Sequence, residues 1–137
     1  MTTSPQTTKT LKMKNVEPKH VLIVDDDREI VETLRCTLVA EGFTVSVAID
    51  GNQAVAYAET KNPDLVILDM MMPRRSGFLV LERLRQQDDH PVPVIMITGN
   101  EGLRHQEYAE LLGVSDYIRK PFTMDRLLLS VANLLNN

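Results

Sequence analysis

The sequence predicts an α/β fold, in which an open parallel β-sheet of five strands carries helices on both faces. Runs of apolar residues such as Val21–Val24 are typical of strands that are buried on both faces. A segment with helical periodicity follows each of these runs. The connections are short, and repeated β-α units of this kind favour a parallel sheet with right-handed crossovers.

We expect five strands and five helices in strict alternation. The predicted strands cover residues 20–25, 43–49, 65–68, 91–98 and 115–120. The predicted helices cover residues 28–41, 52–61, 77–87, 101–112 and 123–135. Residues 1–18 are rich in Thr and Lys, so we expect a disordered N-terminal tail and one domain over residues 19–137. Since residues 121–137 suffice for a single helix, we expect no attached output domain.

In the first unit, Ile30, Leu34 and Leu38 recur at helical spacing, and Gly42 follows the end of the helix. The second strand, "FTVSVAI", alternates strictly between apolar and polar residues. Such alternation is typical of a strand with one exposed face near the edge of a sheet. The dipeptide "DG" then makes the turn into the second helix.

The later units follow the same rules. The third strand, "LVIL", is continuously apolar and therefore predicted to be buried, and "PVPVIMIT" supplies the fourth strand. Gly113 ends the fourth helix, and "SDYIRK" supplies the fifth strand. An apolar stripe predicts which face of the fifth helix packs on the sheet. This stripe consists of Leu127, Leu128, Val131, Leu134 and Leu135.

Composition limits the classes of protein to which the chain can belong. No apolar run approaches the ~20 residues that cross a bilayer, so we expect no membrane insertion. The one cysteine, Cys36, excludes an internal disulfide and suits a cytoplasmic location, and we expect its thiol to be buried. Residues 1–19 hold four lysines against one glutamate (+3), whereas residues 20–137 hold 11 basic and 18 acidic residues (−7). The acidic body disfavours direct binding of nucleic acid.

The first strand runs directly into three carboxylates, Asp25, Asp26 and Asp27. Two unit charges ~4 Å apart repel by roughly 4 kcal/mol at an effective dielectric constant near 20. Capping of the next helix explains one of these residues and leaves two without a structural role. The cluster therefore predicts a bound cation, a retained proton or contact with solvent.

Polar side chains also follow the other strands. Because parallel strands end at one edge of the sheet, we expect Asp25 and Asp26 to converge there with Asp69, Thr98 and Lys120. Oxygen ligands of this kind suit Mg²⁺ or Mn²⁺. An aspartate can attack phosphorus and form an acyl phosphate, and a lysine supplies a positive point charge to the phosphoryl group.

Four segments, "VLIVDDD", "PDLVILDMMMPRRSG", "VIMITG" and "YIRKPF", carry a resemblance to a known family. Over residues 20 to about 135 the chain resembles the receiver domain of two-component response regulators. The resemblance implies a flavodoxin-like (βα)5 doubly wound sheet with strand order 2-1-3-4-5, the order that is general for such folds.

The resemblance also implies a role for each residue at the predicted edge. Asp69 would be the phosphoacceptor. Asp26 would bind Mg²⁺ directly, with Asp25 beside it, Asp69 itself and the backbone carbonyl of Met71 completing the protein ligands. Mn²⁺ would be able to substitute. Asp27 has no fixed role in the family and is free to cap the first helix.

A second group of residues would respond to phosphorylation. Thr98 would bind the phosphoryl group, Lys120 would pair with it, and the Tyr117 side chain would swing inward. Pro121 implies a cis peptide bond after Lys120, and Gly77 matches the start of the third helix. Further matching positions are Pro73 and Gly99. Arg74 and Arg75 would contact a kinase or remain solvated.

By this resemblance, the chain is a stand-alone receiver that takes its phosphoryl group from a sensor histidine kinase or a histidine phosphotransfer protein. It would catalyse its own phosphorylation and dephosphorylation and turn over no other substrate. Phosphorylation would alter the surface formed by the fourth helix, fifth strand and fifth helix. The output would then be an unknown downstream protein, a further step of a phosphorelay or a homodimer.

Three alternatives remain open. A haloacid-dehalogenase-type phosphatase also uses a strand-end aspartate with Mg²⁺, but its second aspartate would fall at Met71. A flavin-binding carrier needs a phosphate-binding loop where this chain has "DDDREI". A receiver used only for protein interaction would lack phosphoryl chemistry. In the family, Met71 and Asn100 occupy positions that tune phosphoryl lifetime, and the apolar Met71 predicts slow self-dephosphorylation.

Overall fold

The computed structural model describes residues 17–72, 76–86, 91–99 and 103–135. Its strands are β1 (His20–Val24), β2 (Thr44–Ala48), β3 (Leu65–Asp69), β4 (Val94–Thr98) and β5 (Asp116–Arg119). Its helices are α1 (Arg28–Ala40), α2 (Gly51–Lys61), α3 (Gly77–Arg85), α4 (Leu103–Leu111) and α5 (Met124–Leu135). The ten predicted elements are therefore present, and their ends differ from the predicted ends by three residues at most. The predicted tail lies outside the described residues apart from its last two positions.

The sheet has the order β2-β1-β3-β4-β5, and every neighbouring pair of strands is parallel. The predicted fold class and strand order are confirmed. The alternating strand β2 lies at an edge, as its pattern predicts. The three strands of the sheet's middle, β1, β3 and β4, are almost completely buried because helices cover both of their faces.

The core consists of one layer on each face of the sheet. On one face α1 and α5 pack through residues such as Leu34, Leu38, Leu127 and Val131. On the other face α2, α3 and α4 contribute mainly small and branched side chains. At the carboxyl ends of the strands, Asp25, Asp69 and Thr98 are buried, whereas Asp26 is exposed. Within the part of the chain that the structure describes, no helix is long and apolar enough to cross a membrane.

Side-chain caps explain where several helices begin. The Asp27 carboxylate accepts hydrogen bonds from the N–H groups of Glu29 and Ile30, at 3.0 and 3.4 Å, and so caps α1. Asp50 caps α2 through the N–H of Gln53. The capping role expected of Asp27 is therefore confirmed.

Two local expectations are wrong. Cys36 is exposed on α1 instead of buried. It lies two residues from both Leu34 and Leu38, which is about 200° around the helix from the buried face. Ile49 was expected on the apolar face of the second strand, but it lies beyond the end of β2 and is 56% exposed. Cys36 thus lies on the solvent-facing side of α1, and Ile49 lies past the last residue of β2.

The outer face of α3 holds α4 in place. The Phe78 ring packs against His105 and Tyr108, with ring centroids 5.9 and 5.1 Å apart. Glu82 accepts a hydrogen bond from the Tyr108 hydroxyl at 2.7 Å. At the end of α3, Arg85 donates to the carbonyl oxygen of Gly113 and to that of Val92. Arg85 thus links three segments that are distant in sequence.

Replacing Arg85 by Met is expected to lower the free energy of unfolding by about 1–2 kcal/mol. The substitution keeps most of the apolar stem and removes the hydrogen bonds to the carbonyl oxygens of Val92 and Gly113. Urea denaturation followed by circular dichroism measures the effect. Arg83→Met is the matched control, because Arg83 forms an exposed ion pair with Glu59 and such pairs contribute about 0–1 kcal/mol. Equal losses in the two variants would contradict the prediction.

Candidate functional site

The register of the sheet brings the predicted residues to one edge. In the paired strands, Val24 lies beside Leu68 and Asp69 lies beside Ile97. Asp25 therefore follows β1 next to the end of β3, where Asp69 is the last residue. Asp25 is 2% exposed and Asp69 is 5% exposed. Two carboxylates are thus buried side by side, and burial of charge is costly unless a cation compensates it.

Lys120 supplies part of that compensation. Its Nζ lies 3.5 Å from Asp25 Oδ2 and 3.5 Å from Asp69 Oδ1. The remaining contacts come from the backbone: the Asp27 N–H donates to Asp25 Oδ1 at 2.9 Å, and the Met71 N–H donates to Asp69 Oδ1 at 3.4 Å. One ammonium group therefore serves two carboxylates, and the exposed Asp26 adds a third negative charge nearby.

The electrostatics of this cluster favour binding of a further cation. Burial raises the pKa of Asp69 to about 6, and the neighbouring Asp25 adds to the shift, whereas Lys120 and the Met71 N–H oppose it. Burial also raises the pKa of Asp25. A raised carboxyl pKa means that the ionised form is under-stabilised in the folded protein. A divalent cation would relieve that deficit.

The donor set fits a divalent metal ion. Carboxylate oxygens of Asp25, Asp26 and Asp69 all lie within 4.8 Å of one another. Oxygen donors with two buried carboxylates and one exposed carboxylate suit a hard cation that keeps several water ligands. The acidic cluster can therefore hold a metal ion. The predicted contribution of the Met71 carbonyl stays a prediction.

Thr98 and Tyr117 lie on the adjoining strands. The Thr98 side chain is completely buried, and its hydroxyl donates to the sulfur of Met70 at 3.8 Å. The Lys120 N–H donates to the Thr98 carbonyl at 2.7 Å, which ties the end of β5 to the end of β4. The predicted cis peptide bond between Lys120 and Pro121 is present. Tyr117 packs against the core layer of α2, α3 and α4.

The Tyr117 hydroxyl is buried and has no hydrogen-bond partner among the described residues. Tyr117→Phe is therefore expected to raise the free energy of unfolding by about 1 kcal/mol, because it removes an unsatisfied polar group without changing the packing. Thermal and urea denaturation test this. Tyr57→Phe, on α2, is the control and should leave stability within about 0.5 kcal/mol. A loss of stability in Tyr117→Phe would contradict the assignment of an unpaired hydroxyl.

Sequence reasoning identified Gly77 only as the start of a helix, and the structure gives its physical role. A Cβ atom at Gly77 would lie 2.5 Å from the carbonyl oxygen of Asp69 and 2.7 Å from the Cα of Met70. The Gly77 N–H also donates to the Met70 carbonyl at 2.8 Å. The first turn of α3 thus rests directly on the backbone of the acidic residue. In the sequence, the signal for this close approach was a glycine that directly precedes an apolar helical run.

Sequence reasoning also missed a groove of about 570 Å³ beside the acidic cluster. It lies between α1 and the segment that joins β5 to α5, and Gly99 and Lys120 form its end nearest the cluster. Its other lining residues are Glu29, Ile30, Thr33, Pro121, Phe122 and Met124. The two walls are some 90 residues apart in sequence, so no local pattern could indicate the groove. Predictions for Pro73, Arg74, Arg75 and Asn100 lie outside the described residues.

The chain is similar in sequence to known response regulators. The chain is 36% identical over 118 residues to response regulator MprA of Mycolicibacterium vanbaalenii, covering 86% of this chain and 51% of that protein. It is 34% identical over 119 residues to the probable transcriptional regulatory protein TcrX of Mycobacterium tuberculosis, covering 87% and 50%. The chain therefore spans about half the length of these curated relatives.

Two solved receiver structures match over nearly the whole of their length. The Francisella response regulator 1452 receiver domain superimposes with a TM-score of 0.79 at 32% identity, covering 85% of this chain and 95% of that one. A CheY-like receiver domain protein from Methanospirillum hungatei gives 0.83 at 28% identity, covering 88% and 95%. The family model described as response regulator receiver domain matches residues 21–132. The chain belongs to the response regulator receiver domain family of two-component signalling.

Proposed function

We propose that Asp69 accepts a phosphoryl group from a phosphohistidine, with Mg²⁺ bound by Asp25, Asp26 and Asp69. The observation that carries the proposal is the placement of one ammonium group, that of Lys120, 3.5 Å from each of two buried carboxylates. Such a site is short of positive charge before a phosphoryl group arrives. It therefore favours a divalent metal ion, which would offset the negative charge of the carboxylates and of an incoming phosphoryl group.

The proposed transfer needs no separate base, because the attacking carboxylate is already ionised. An oxygen of Asp69 attacks phosphorus, the P–N bond of the phosphohistidine breaks, and the imidazole leaves with the bonding electron pair. Lys120 and the Met71 N–H contact the Asp69 carboxylate. Lys120 would also supply positive charge to the phosphoryl oxygens. When bound, Mg²⁺ would supply charge neutralisation at the phosphoryl group. The product is an acyl phosphate on Asp69.

The proposed signal passes through Thr98 and Tyr117 to the surface formed by α4, β5 and α5. Phosphorylation would draw the Thr98 hydroxyl away from Met70 toward the phosphoryl group. Tyr117, which packs on the neighbouring core layer, would follow. A ligand of this kind shifts a two-state equilibrium by its differential affinity for the two states. The altered surface would bind a downstream protein or a second copy of the chain.

Intact-protein mass spectrometry after incubation with acetyl phosphate tests the proposal. We expect a single adduct of about 80 Da that requires both Mg²⁺ and Asp69. Asp69→Asn should abolish the adduct, whereas Asp125→Asn, a change at an exposed position on α5, should leave it intact. An adduct that persists in Asp69→Asn would show that another residue is the acceptor. Absence of any adduct in the folded wild type would favour an interaction module without phosphoryl chemistry.

The remaining predictions concern partners and location. A sensor histidine kinase or a histidine phosphotransfer protein stays the expected donor, and turnover of other phosphoesters is not expected. The −7 charge of residues 20–137 supports the expectation of no direct contact with nucleic acid. The longer relatives include a probable transcriptional regulatory protein, so a filter-binding assay with duplex DNA is the direct check. A cytoplasmic location and a stand-alone output stay predictions.

Met71→Asn is expected to shorten the half-life of the phosphoryl group roughly tenfold, because the amide can hold a water molecule near phosphorus and the thioether cannot. The decay of the adduct, followed by mass spectrometry after removal of acetyl phosphate, gives the half-life. Met71→Leu is the matched control and should decay at the rate of the wild type. Equal half-lives in all three proteins would contradict the argument.

A further inference from the structure

Met71 combines solvent exposure with contact to the proposed acceptor. Its side chain is 64% exposed. Among the other described methionines, Met70 and Met96 are buried, and Met72 and Met124 are partly buried. An exposed thioether is accessible to dissolved oxidants, whereas a buried thioether is shielded by the core. Within the described residues, Met71 is therefore the methionine most accessible to oxidation.

The backbone of Met71 is hydrogen-bonded to the proposed acceptor. β3 ends at Asp69, and the Met71 N–H donates to Asp69 Oδ1 at 3.4 Å. The side chain thus starts from a residue whose amide touches the carboxylate that would carry the phosphoryl group. A change in the polarity of this side chain would therefore occur on a residue whose backbone is hydrogen-bonded to the proposed acceptor.

We propose that Met71 is an oxidation site that controls the lifetime of the phosphoryl group on Asp69. The proposal rests on the proposed function. A two-electron oxidant such as hydrogen peroxide transfers one oxygen atom to the Met71 sulfur. The O–O bond breaks, a sulfoxide forms and water leaves. The sulfur is oxidised by two electrons, and the peroxide is reduced by two.

Oxidation replaces an apolar group by a strong hydrogen-bond acceptor. The thioether at position 71 cannot orient a water molecule toward phosphorus, but a sulfoxide oxygen can accept a hydrogen bond from one. An oriented water attacks the acyl phosphate faster than a disordered one. Oxidised protein therefore loses its phosphoryl group sooner. The oxidant, acting at Met71, and the kinase, acting at Asp69, would then both affect the amount of phosphorylated protein. Methionine sulfoxide is reducible enzymatically, so the effect is reversible.

Among the described residues, Cys36 is a second exposed sulfur, and it must be removed from the test. It lies on the outer face of α1, where its thiol contacts Glu32. Cys36→Ser is therefore the background for every measurement. In that background, peroxide treatment followed by peptide mapping should show a gain of about 16 Da at Met71 before Met70, Met72, Met96 or Met124 reacts.

The decisive measurement is phosphoryl half-life before and after peroxide treatment. We expect oxidation to shorten the half-life by roughly threefold to tenfold and methionine sulfoxide reductase to restore it. Met71→Leu, which cannot be oxidised at that position, should keep the same half-life with and without peroxide. An unchanged half-life in protein that is oxidised at Met71, or an equal acceleration in Met71→Leu, overturns the inference while leaving the proposed function intact. Failure of untreated protein to form any adduct overturns both.

Discussion

Replacing Asp69 by Asn is expected to stabilise the metal-free protein at pH 7 by about 2 kcal/mol. Burial raises the pKa of Asp69 from an ordinary value of 3.8 to about 6, with the charge of Asp25 adding to the shift. At pH 7 the folded protein must therefore keep a poorly stabilised negative charge. An amide of the same shape carries no charge and avoids that cost.

The pH dependence has a definite sign. A carboxyl group whose pKa is raised by folding contributes stability while it is protonated in the folded state. That contribution is lost as the pH rises from about 4 to about 6 and beyond, through the folded pKa of Asp69. Wild type and Asp69→Asn should thus be about equally stable near pH 4 and should diverge toward pH 7. The difference between the two proteins reports the ionisation of Asp69 together with its effect on the neighbouring Asp25.

Urea denaturation in EDTA at pH 4, 5, 6 and 7, followed by circular dichroism, gives the two stability curves. Addition of Mg²⁺ at pH 7 should stabilise the wild type more than the variant, because binding to the folded state adds to stability by mass action. Asp125→Asn, at an exposed position on α5, controls for the loss of one carboxylate. An Asp69→Asn protein that is less stable than the wild type at pH 7 without metal would refute the electrostatic argument.

Replacing Gly77 by Ala is expected to cost about 2–3 kcal/mol of stability. The added Cβ would meet the Asp69 carbonyl oxygen at 2.5 Å and the Met70 Cα at 2.7 Å. Both are backbone atoms, so no side-chain rotation can relieve the clash, and α3 must move away from the end of β3. That movement also breaks or lengthens the hydrogen bond from Gly77 to Met70.

The same displacement should also slow phosphorylation of Asp69. Asp69 is the residue against which the Cβ would press, and a shift of about 1 Å in a reacting group lowers rates by up to roughly 100-fold. We expect the initial rate of adduct formation from acetyl phosphate to fall by about tenfold or more under conditions in which the variant stays folded. Leu79→Ala, on the same turn of α3 and 50% exposed, is the control and should change neither quantity much. If Gly77→Ala were as stable as the wild type, the expected clash of its Cβ with the backbone of Asp69 and Met70 would be contradicted.

The sequence predicted the fold through patterns that are local. Continuous apolar runs identified the buried strands, and strict alternation identified β2 as an edge strand, which the sheet order confirms. Cap residues and glycines located the helix ends closely. These patterns succeed because burial on one or two faces fixes the apolar period of a strand or helix. They failed at Cys36 and Ile49, where a side chain of the right type meets solvent instead of core.

The candidate site was predictable for a similar reason. In a parallel sheet the strands end at one edge, so residues that follow them must meet. The structure brings Asp25, Asp26, Asp69 and Lys120 together at that edge. What no local pattern could supply is distance: that one lysine lies equally far from two carboxylates, and that burial raises the pKa of Asp69 to about 6.

Sequence patterns thus suffice for the order of the elements, the edge at which the site lies and the types of side chain that form it. The tertiary structure decided how deeply each carboxylate is buried, why Gly77 must be glycine, that Arg85 joins three distant segments, and that the Tyr117 hydroxyl has no partner among the described residues. These features depend on packing between segments that are far apart in the chain. Charge and shape act over ångströms in space, whereas a sequence pattern records only neighbours along the backbone.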